Sequence, residues 1–504
     1  MSQNILNKKL SNRKISIFLA LIIITGVIFR LIFSHFELPL HSDNLQYFLF
    51  AIDHSLGETV NSFKVHNMGW PYFLSFFFTI FDSNNYMDFM AFQKIISIII
   101  SSLTAIPIYF LGKKFFPKEF ALLGSCLFIF EPRIVQNSIL GISDPLYIIA
   151  ITIAIVLLLN SKKNTEILGF IILGLSIGIR SEGVFLIPAF IIIYFIQKTI
   201  TKESIIKILI SLLIISIIIY GITYNQNIEN SNNNLFTQIN SNFDEIHTSP
   251  ETKLSGNSIN LVIDGLMNLI KFLGWSQFPI WMIFAPAGFI ILLISKNKNT
   301  SIILTLLFFI SLPTLYAFSF TNEIRYLFPL YPIFTLLSLF MLIKINPKMK
   351  SVMKISIISA LIISSSIFLI WKDIDVESES EKFNLMKEIS DNEKTINYFG
   401  DENSYRIPVI LETIDFPTTS NKILEKTMKI VNISRINSLE EYMKKVDENG
   451  LTHLIIKENN DYQFFDDIFK NENNYPYLIK EHDLINKDKK IYVKIFKINY
   501  EDMN

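Results

Sequence analysis

The sequence predicts a polytopic α-helical membrane protein of about 11 transmembrane helices, ending in an extracytoplasmic α/β domain. Three observations carry that prediction. Half of the 504 residues are hydrophobic and the mean hydropathy is +0.39, more apolar than a soluble domain averages. The apolar residues fall into runs long enough to cross a bilayer core of roughly 30 Å. The formal net charge of zero is an average over two unlike parts: residues 1–371 carry 26 Lys+Arg and 18 Asp+Glu, and residues 372–504 carry 19 and 27. The first part is thus a sparsely charged transmembrane domain at +8, and the second a densely charged soluble domain at −8.

The spans are expected at 15–33, 89–112, 119–136, 143–160, 166–179, 183–197, 205–224, 277–295, 301–320, 326–345 and 353–371. The first follows a basic N-terminal stretch and has no small-residue cleavage site after it, so it reads as an uncleaved signal anchor. Those at 119–136, 166–179 and 183–197 are short or interrupted and read as broken or partly re-entrant helices. With the N-terminus in the cytoplasm, the inner loops hold 18 Lys and Arg residues and the outer loops only six, namely Lys64, Arg133, Arg180, Lys253, Lys271 and Arg325. Positive charge marks the cytoplasmic side. The chain is therefore expected in the cell membrane with its soluble domain outside.

Two outer segments exceed simple turns. Residues 34–88 hold two semi-apolar stretches, 45–52 and 70–81, and residues 225–276 run from an Asn-rich stretch expected to be flexible into an amphipathic one at 259–275. All three stretches read as helices lying at the interface. Loops of this size suit an enzyme working on the outer face. In the tail, 407–411, 428–433, 451–457 and 491–498 read as strands, and 381–399, 438–448 and 462–471 as helices.

Several classes fall away. The basic residues are spread over short loops rather than gathered on a face, which excludes nucleic-acid binding. The single Cys126 excludes an intrachain disulfide and a cysteine metal cluster. Arginine is more informative, since the chain has seven against 38 lysines. The four between residues 15 and 371, Arg30, Arg133, Arg180 and Arg325, all fall at or near the outer face in this topology. Each is either a snorkelling side chain or a bidentate donor for phosphate or carboxylate; four on one face favour an anion site.

Acids collect on the same face. Asp43 reads as a helix N-cap or as a carboxylate general base beside His41, and the two are compatible. Asp144 before Pro145 reads as N-cap then first helical residue. Glu131, at the outer end of a span, needs a partner such as Arg133, or a ligand. His66 reads as a solvated loop side chain or as a ligand, and a divalent metal shared by Asp43, His41 or His66 and Asp144 is chemically reasonable, although no spacing demands it. Arg325 precedes Tyr326 in an aromatic, proline-rich stretch of which only the arginine stands out from an ordinary aromatic belt.

The order of these features resembles the GT-C glycosyltransferases, nearest to the protein O-mannosyltransferase and aminoarabinose-transferase branch with its archaeal members. The residues that carry the resemblance are Asp43, Tyr47 and Ala51, then Gly69-Trp70-Pro71, then Ser143-Asp144-Pro145-Leu146-Tyr147. Arg180-Ser181-Glu182-Gly183 and Arg325-Tyr326 with Pro329 and Pro332 complete it. The tail resembles the extracytoplasmic domains that end some members. Residues 372–504 hold no tryptophan and so no WWDYG-type motif of the oligosaccharyltransferase branch, and Asn44 stands where mannosyltransferases carry Glu after the loop Asp.

The resemblance implies an inverting transfer of a sugar from a polyprenyl (dolichyl or undecaprenyl) phosphate to a glycan, lipid or protein acceptor. Asp43 would be the base, and Arg325, Arg180 and Arg133 would bind the donor phosphate. His41, His66, Asp144, Glu131 and Tyr326 would be acceptor, donor or metal candidates. The competing readings are a lipid-linked glycan flippase, which needs more polar residues within the spans than Lys94, and a polysaccharide polymerase or ligase, which places its large loop later. A periplasm- or surface-active reporter fused after Asn504 is expected to be active; a reporter active only in the cytoplasm would mean that the span count is wrong by an odd number.

Overall fold

The computed structural model describes residues 11–58, 68–160, 164–229, 258–276, 281–295, 298–319 and 323–372. Beyond these it describes 376–377, 379–381, 383–384, 387, 398–399, 406–412, 414–419, 422, 438–448, 452–458, 463–486 and 491–503. The chain divides into two compact units. One comprises Met1–Ser34, Lys64–Leu74 and Phe92–Asp373; the other comprises His35–Phe63, Ser75–Ala91 and Ile374–Asn504.

In chain order the helices are α1 (Asn12–Ile32), α2 (Ser42–Ser55), α3 (Gly69–Phe78), α4 (Tyr86–Leu103), α5 (Ala105–Phe115), α6 (Lys118–Ile129), α7 (Pro132–Ser138) and α8 (Asp144–Leu158). After α9 (Thr165–Ile179) and a 3-10 turn at Ser181–Phe185 come α10 (Leu186–Gln197), α11 (Lys202–Glu229), α12 (Ser258–Ser276), α13 (Trp281–Ile294) and α14 (Lys298–Phe318). A second 3-10 turn, Ile324–Leu330, leads into α15 (Tyr331–Ile345), and α16 (Ser351–Trp371) closes the series. Among the described residues, six helical stretches are long and apolar enough to cross a membrane: Asn12–Ile32, Tyr86–Phe115, Lys202–Gly221, Lys298–Phe318, Ile324–Ile345 and Ser351–Trp371.

Packing in the helical unit follows its sequence. Along α1 the buried residues Ile15, Leu19, Ile22, Gly26 and Phe29 recur at steps of four and three, so they share one inward face. Ile17, Leu21, Ile24 and Ile28 on the other faces stay exposed. A helix apolar all round needs a second apolar neighbour, and lipid supplies it. Arg30 near the end of α1 is fully buried. Its Nε donates to Ser138 Oγ (2.9 Å), its Nη1 to the Gly26 carbonyl (3.0 Å) and its Nη2 to Ser101 Oγ (3.2 Å). Small residues let backbones close up elsewhere: a Cβ at Gly169 of α9 would lie 2.9 Å from the Ala154 carbonyl oxygen of α8.

The breaks expected from sequence occur. The stretch at 119–136 splits into α6 and α7, because Pro132 opens α7 without an N–H to pair and Glu131 caps it. The stretches at 166–179 and 183–197 are separate helices, divided where Arg180 adopts an extended backbone (φ −146°, ψ 124°).

In the second unit, α2 is buried nearly all round, including Leu45 and every residue from Tyr47 to Asp53. A helix lying flat at an interface would keep one wet face. Its Phe48 meets Phe78 (5.9 Å between centroids) and stacks on Phe416 (6.1 Å), which also meets Phe89 (5.3 Å). Among its described residues the tail carries a four-stranded sheet, β1 (Tyr398–Phe399), β2 (His453–Lys457), β3 (Leu478–Asn486) and β4 (Ile491–Ile498), ordered β1-β2-β4-β3, in which β1–β2 is parallel and the other two pairs are antiparallel. Its core joins Leu454, Ile456 and Phe496 to Phe465, Ile468 and Phe469 of the helix Gln463–Lys470.

Three tail expectations change. The stretch 407–411, expected as a strand, lies in the helix Arg406–Glu412; Pro408 has no N–H for a ladder but fits a helix's first turn. Of the helix expected over 381–399, the last two residues, Tyr398-Phe399, are instead a strand that pairs with His453-Leu454. β3 was not expected, because its polar residues obscure the alternation. The strand expected at 428–433 and residues 230–234 of the Asn-rich stretch lie outside the described residues; its first half, 225–229, expected to be flexible, instead continues the helix α11 to Glu229.

Glu472 joins strands to turn in this domain, with Oε1 2.7 Å from Lys480 Nζ and Oε2 2.8 Å from Lys494 Nζ. Those ammoniums hold its carboxyl below its ordinary value. A carboxyl lowered in this way contributes stability that is present above its unfolded pKa, about 4.3, and is lost as pH falls through the lower folded value. Amide protection of β3 and β4, corrected for intrinsic exchange, is expected to fall on acidification below that point, and less steeply in Glu472→Gln.

Candidate functional site

The helical unit places its strongest charge cluster where α9 ends. Arg180 leaves the helix in extended backbone and turns its guanidinium inward, leaving the residue 6% exposed. Nη1 pairs with the Asp144 carboxylate, and Nη2 lies 2.7 Å from Glu182 Oε1. Asp144 is fully buried. It is not the N-cap expected from sequence: Ser143 holds that position, with Asp144 and Pro145 as the first helical residues. Its carboxylate is taken up by the arginine instead, since neither charge could be buried alone without a penalty of several kcal/mol.

Tyr326 lies against this pair. The Arg180 guanidinium is 5.3 Å from its ring centroid and that of Arg325 is 5.8 Å away, so two cations address one aromatic ring. Thr314 Oγ1 donates to the Tyr326 carbonyl (2.8 Å), fixing the 3-10 turn on α14. Arg325 Nε sits 2.5 Å from Glu323 Oε2, whose side chain is 53% exposed. Tyr147, Arg180, Glu182, Pro313, Thr314 and Tyr326 line a small pocket here. Asp144 Oδ2 and Glu182 Oε2 are buried there without a hydrogen-bond partner among the described residues.

The Gly69-Trp70 pair holds both ends of the ion pair in place. A Cβ at Gly69 would lie 2.7 Å from the Gly178 carbonyl oxygen, two residues before Arg180, so only glycine lets the chains approach. Trp70 Nε1 donates to the Gly141 carbonyl (3.2 Å), as does Gln93 Nε2 (2.7 Å). Gly141 has φ +73°, open to glycine at no steric cost, and lies three residues before Asp144.

The other expected residues make different contacts within the helical unit, belong to the second unit, or lie outside the described residues. Glu131 caps α7, its Oε2 accepting from the Ile134 N–H at 2.7 Å, and Arg133 places its guanidinium 4.6 Å from the Phe368 ring centroid. In the second unit His41 holds the N-cap of α2, so Asp43 falls in the first turn rather than at the cap. Ser42 between them has φ +52°, uncommon for a residue with a side chain. His66 lies outside the described residues. Among those described, no three His, Cys, Asp or Glu side chains gather as a metal-holding group. Glu182, Tyr147 and Thr314 were not singled out as site residues. Glu182 stood two residues from Arg180, but nothing in the spacing showed that the two would pair.

The fold is that of the GT-C glycosyltransferases. The chain superimposes on the apo oligosaccharyltransferase of Archaeoglobus fulgidus with a TM-score of 0.57 at 11% identity, over 89% of this chain and 70% of that one. The same enzyme in complex with Zn and sulfate gives 0.55 at 13% identity, over 87% and 67%. ArnT from Cupriavidus metallidurans, bound to undecaprenyl phosphate, gives 0.55 at 8% identity, over 95% of this chain and 98% of that one. In sequence, residues 65–222 match the family described as dolichyl-phosphate-mannose-protein mannosyltransferase. No curated protein matches the chain in sequence.

Replacing one member of the buried pair leaves an uncompensated charge, and such losses cost about 3–5 kcal/mol. Asp144→Leu is expected to lower the thermal midpoint of the purified protein clearly, while Glu323→Gln, at an exposed pair, leaves it nearly unchanged.

Proposed function

We propose that the chain is an integral-membrane glycosyltransferase that moves a sugar from a polyprenyl phosphate to an extracytoplasmic glycan, lipid or protein acceptor, with inversion at the anomeric carbon. The observation that carries this reading is the pair of guanidinium groups 5.3 Å and 5.8 Å from the Tyr326 ring centroid, in a helical unit otherwise poor in charge. The match to a dolichyl-phosphate-dependent family and the undecaprenyl phosphate in the ArnT neighbour support the donor class. The proposed topology keeps eleven spans, with the N-terminus in the cytoplasm and the tail outside.

The reaction makes two demands, and each is assigned within one unit. The leaving phosphate gathers negative charge as the glycosidic bond breaks and needs cations already in position. Arg325 meets that demand best, because its partner Glu323 is largely exposed and exchanges for a phosphate at little cost. Arg180 has its charge matched by two carboxylates, so it positions Tyr326 and the turn while contributing field rather than a free fork. Arg133 is a lesser candidate, its guanidinium lying over Phe368.

The acceptor hydroxyl must lose its proton as it attacks. Asp43 is the assigned base: it lies in the first turn of α2 next to a residue in unusual backbone, and the cap position has passed to His41.

The test is release of labelled sugar from polyprenyl-phosphate donors by purified protein. Arg325→Ala is expected to reduce kcat by about 10²–10³-fold, as loss of one oxyanion donor does. Asp43→Asn is expected to reduce it by about 10²–10⁴-fold. Full activity in Asp43→Asn would remove Asp43 as the base, and unchanged turnover with chelator would exclude a metal requirement.

A further inference from the structure

Lys114, Lys198 and Lys298 line a cavity of about 270 Å³ at the ends of α5, α10 and α14. No carboxylate lines it, and none of the three ammoniums has an ion-pair partner among the described residues. Gln197 adds an amide whose Nε2 is buried with no hydrogen-bond partner among the described residues. Phe115, Leu159 and Ile302 form an apolar wall.

Two ordinary explanations fall short. The bias of lysines to one side of the membrane explains their sign, but not their convergence from three separate segments into one concavity. Lysines also bond the last carbonyls of helices; Lys298 Nζ lies 3.4 Å from the Gln197 carbonyl, which accounts for one of the three. The three lysines are exposed, so water screens them from one another, and together they leave a positive potential over the hollow that an anion neutralises. Phosphate oxygens accept from ammonium and amide donors alike, and basic pockets at the ends of spans suit lipid headgroups.

We propose that this cavity binds the phosphate of an anionic phospholipid. Lys114, Lys198, Lys298 and the Gln197 amide donate to its oxygens, and the first carbons of its chains lie on Phe115, Leu159 and Ile302. The site is distinct from the Arg180–Tyr326 cluster, and its ligand is not consumed.

The test follows the thermal midpoint of the full-length protein in neutral detergent, titrated with dioctanoyl phosphatidylglycerol, dioctanoyl phosphatidylcholine or sodium phosphate. Phosphatidylglycerol is expected to raise the midpoint saturably, phosphatidylcholine not to move it, and phosphate to act only at concentrations about tenfold higher or more. The triple variant Lys114→Gln, Lys198→Gln, Lys298→Gln is expected to lose the shift while its lipid-free midpoint stays close to that of the unmodified protein, because the three side chains are exposed. Should the triple variant not fold, Lys198→Gln and Gln197→Leu singly are each expected to weaken phosphatidylglycerol binding about tenfold. Equal shifts with both lipids, or a shift that survives in these variants, overturn the site. Phosphate as effective as phosphatidylglycerol overturns the lipid assignment.

Discussion

A guanidinium cannot enter an apolar helix bundle alone, and the architecture around Arg180 answers that constraint. Asp144 comes from the start of α8, Glu182 from the turn after α9, and the Tyr326 ring from the turn before α15. Three separated segments therefore share one electrostatic requirement. Breaking α9 at Arg180 is what turns the side chain inward, and the 3-10 turn that follows carries Glu182 back to it. The same requirement reaches further through glycine: Gly69 admits the end of α9, and Gly141 sets the loop that delivers Asp144.

The two arginines of the cluster differ in how their charge is spent. Arg180 is matched by buried carboxylates that could leave only at a large desolvation cost, so it behaves as part of the scaffold. Arg325 is matched by a carboxylate in partial contact with water, and a competing anion meets a weak incumbent there. Burial of the counter-ion thus distinguishes the two cations, though both belong to short motifs that look alike in sequence.

Much of the fold was legible because hydropathy and proline act locally. The interruptions at 119–136 and around Arg180 follow from Glu131-Pro132 and from short apolar runs, and the helices appear there as expected. The arginines stood out because lysine does the ordinary work of marking one side. What stayed hidden depends on distance along the chain. Arg180 and Asp144 are 36 residues apart, and no periodicity links them, so Asp144 read as a cap. The run Ile407–Leu411 is as compatible with a helix as with a strand, and Pro408 settles it. Nor does any local pattern announce that α2 is buried on nearly all sides, since aromatic partners such as Phe416 lie far along the chain.

Arg30 imposes an order of assembly. It sits in the first helix, yet its partners Ser101 and Ser138 follow 71 and 108 residues later. At ribosomal speeds of about 5–20 residues per second, the last of them emerges roughly 5–20 s after the arginine does. Until then the cation has only the Gly26 carbonyl of its own helix, and a charge at the edge of the hydrocarbon is held at the headgroups by snorkelling. The helix α1 is therefore made well before the contacts that fix its final depth, and α4 and α7 set the moment at which it can settle.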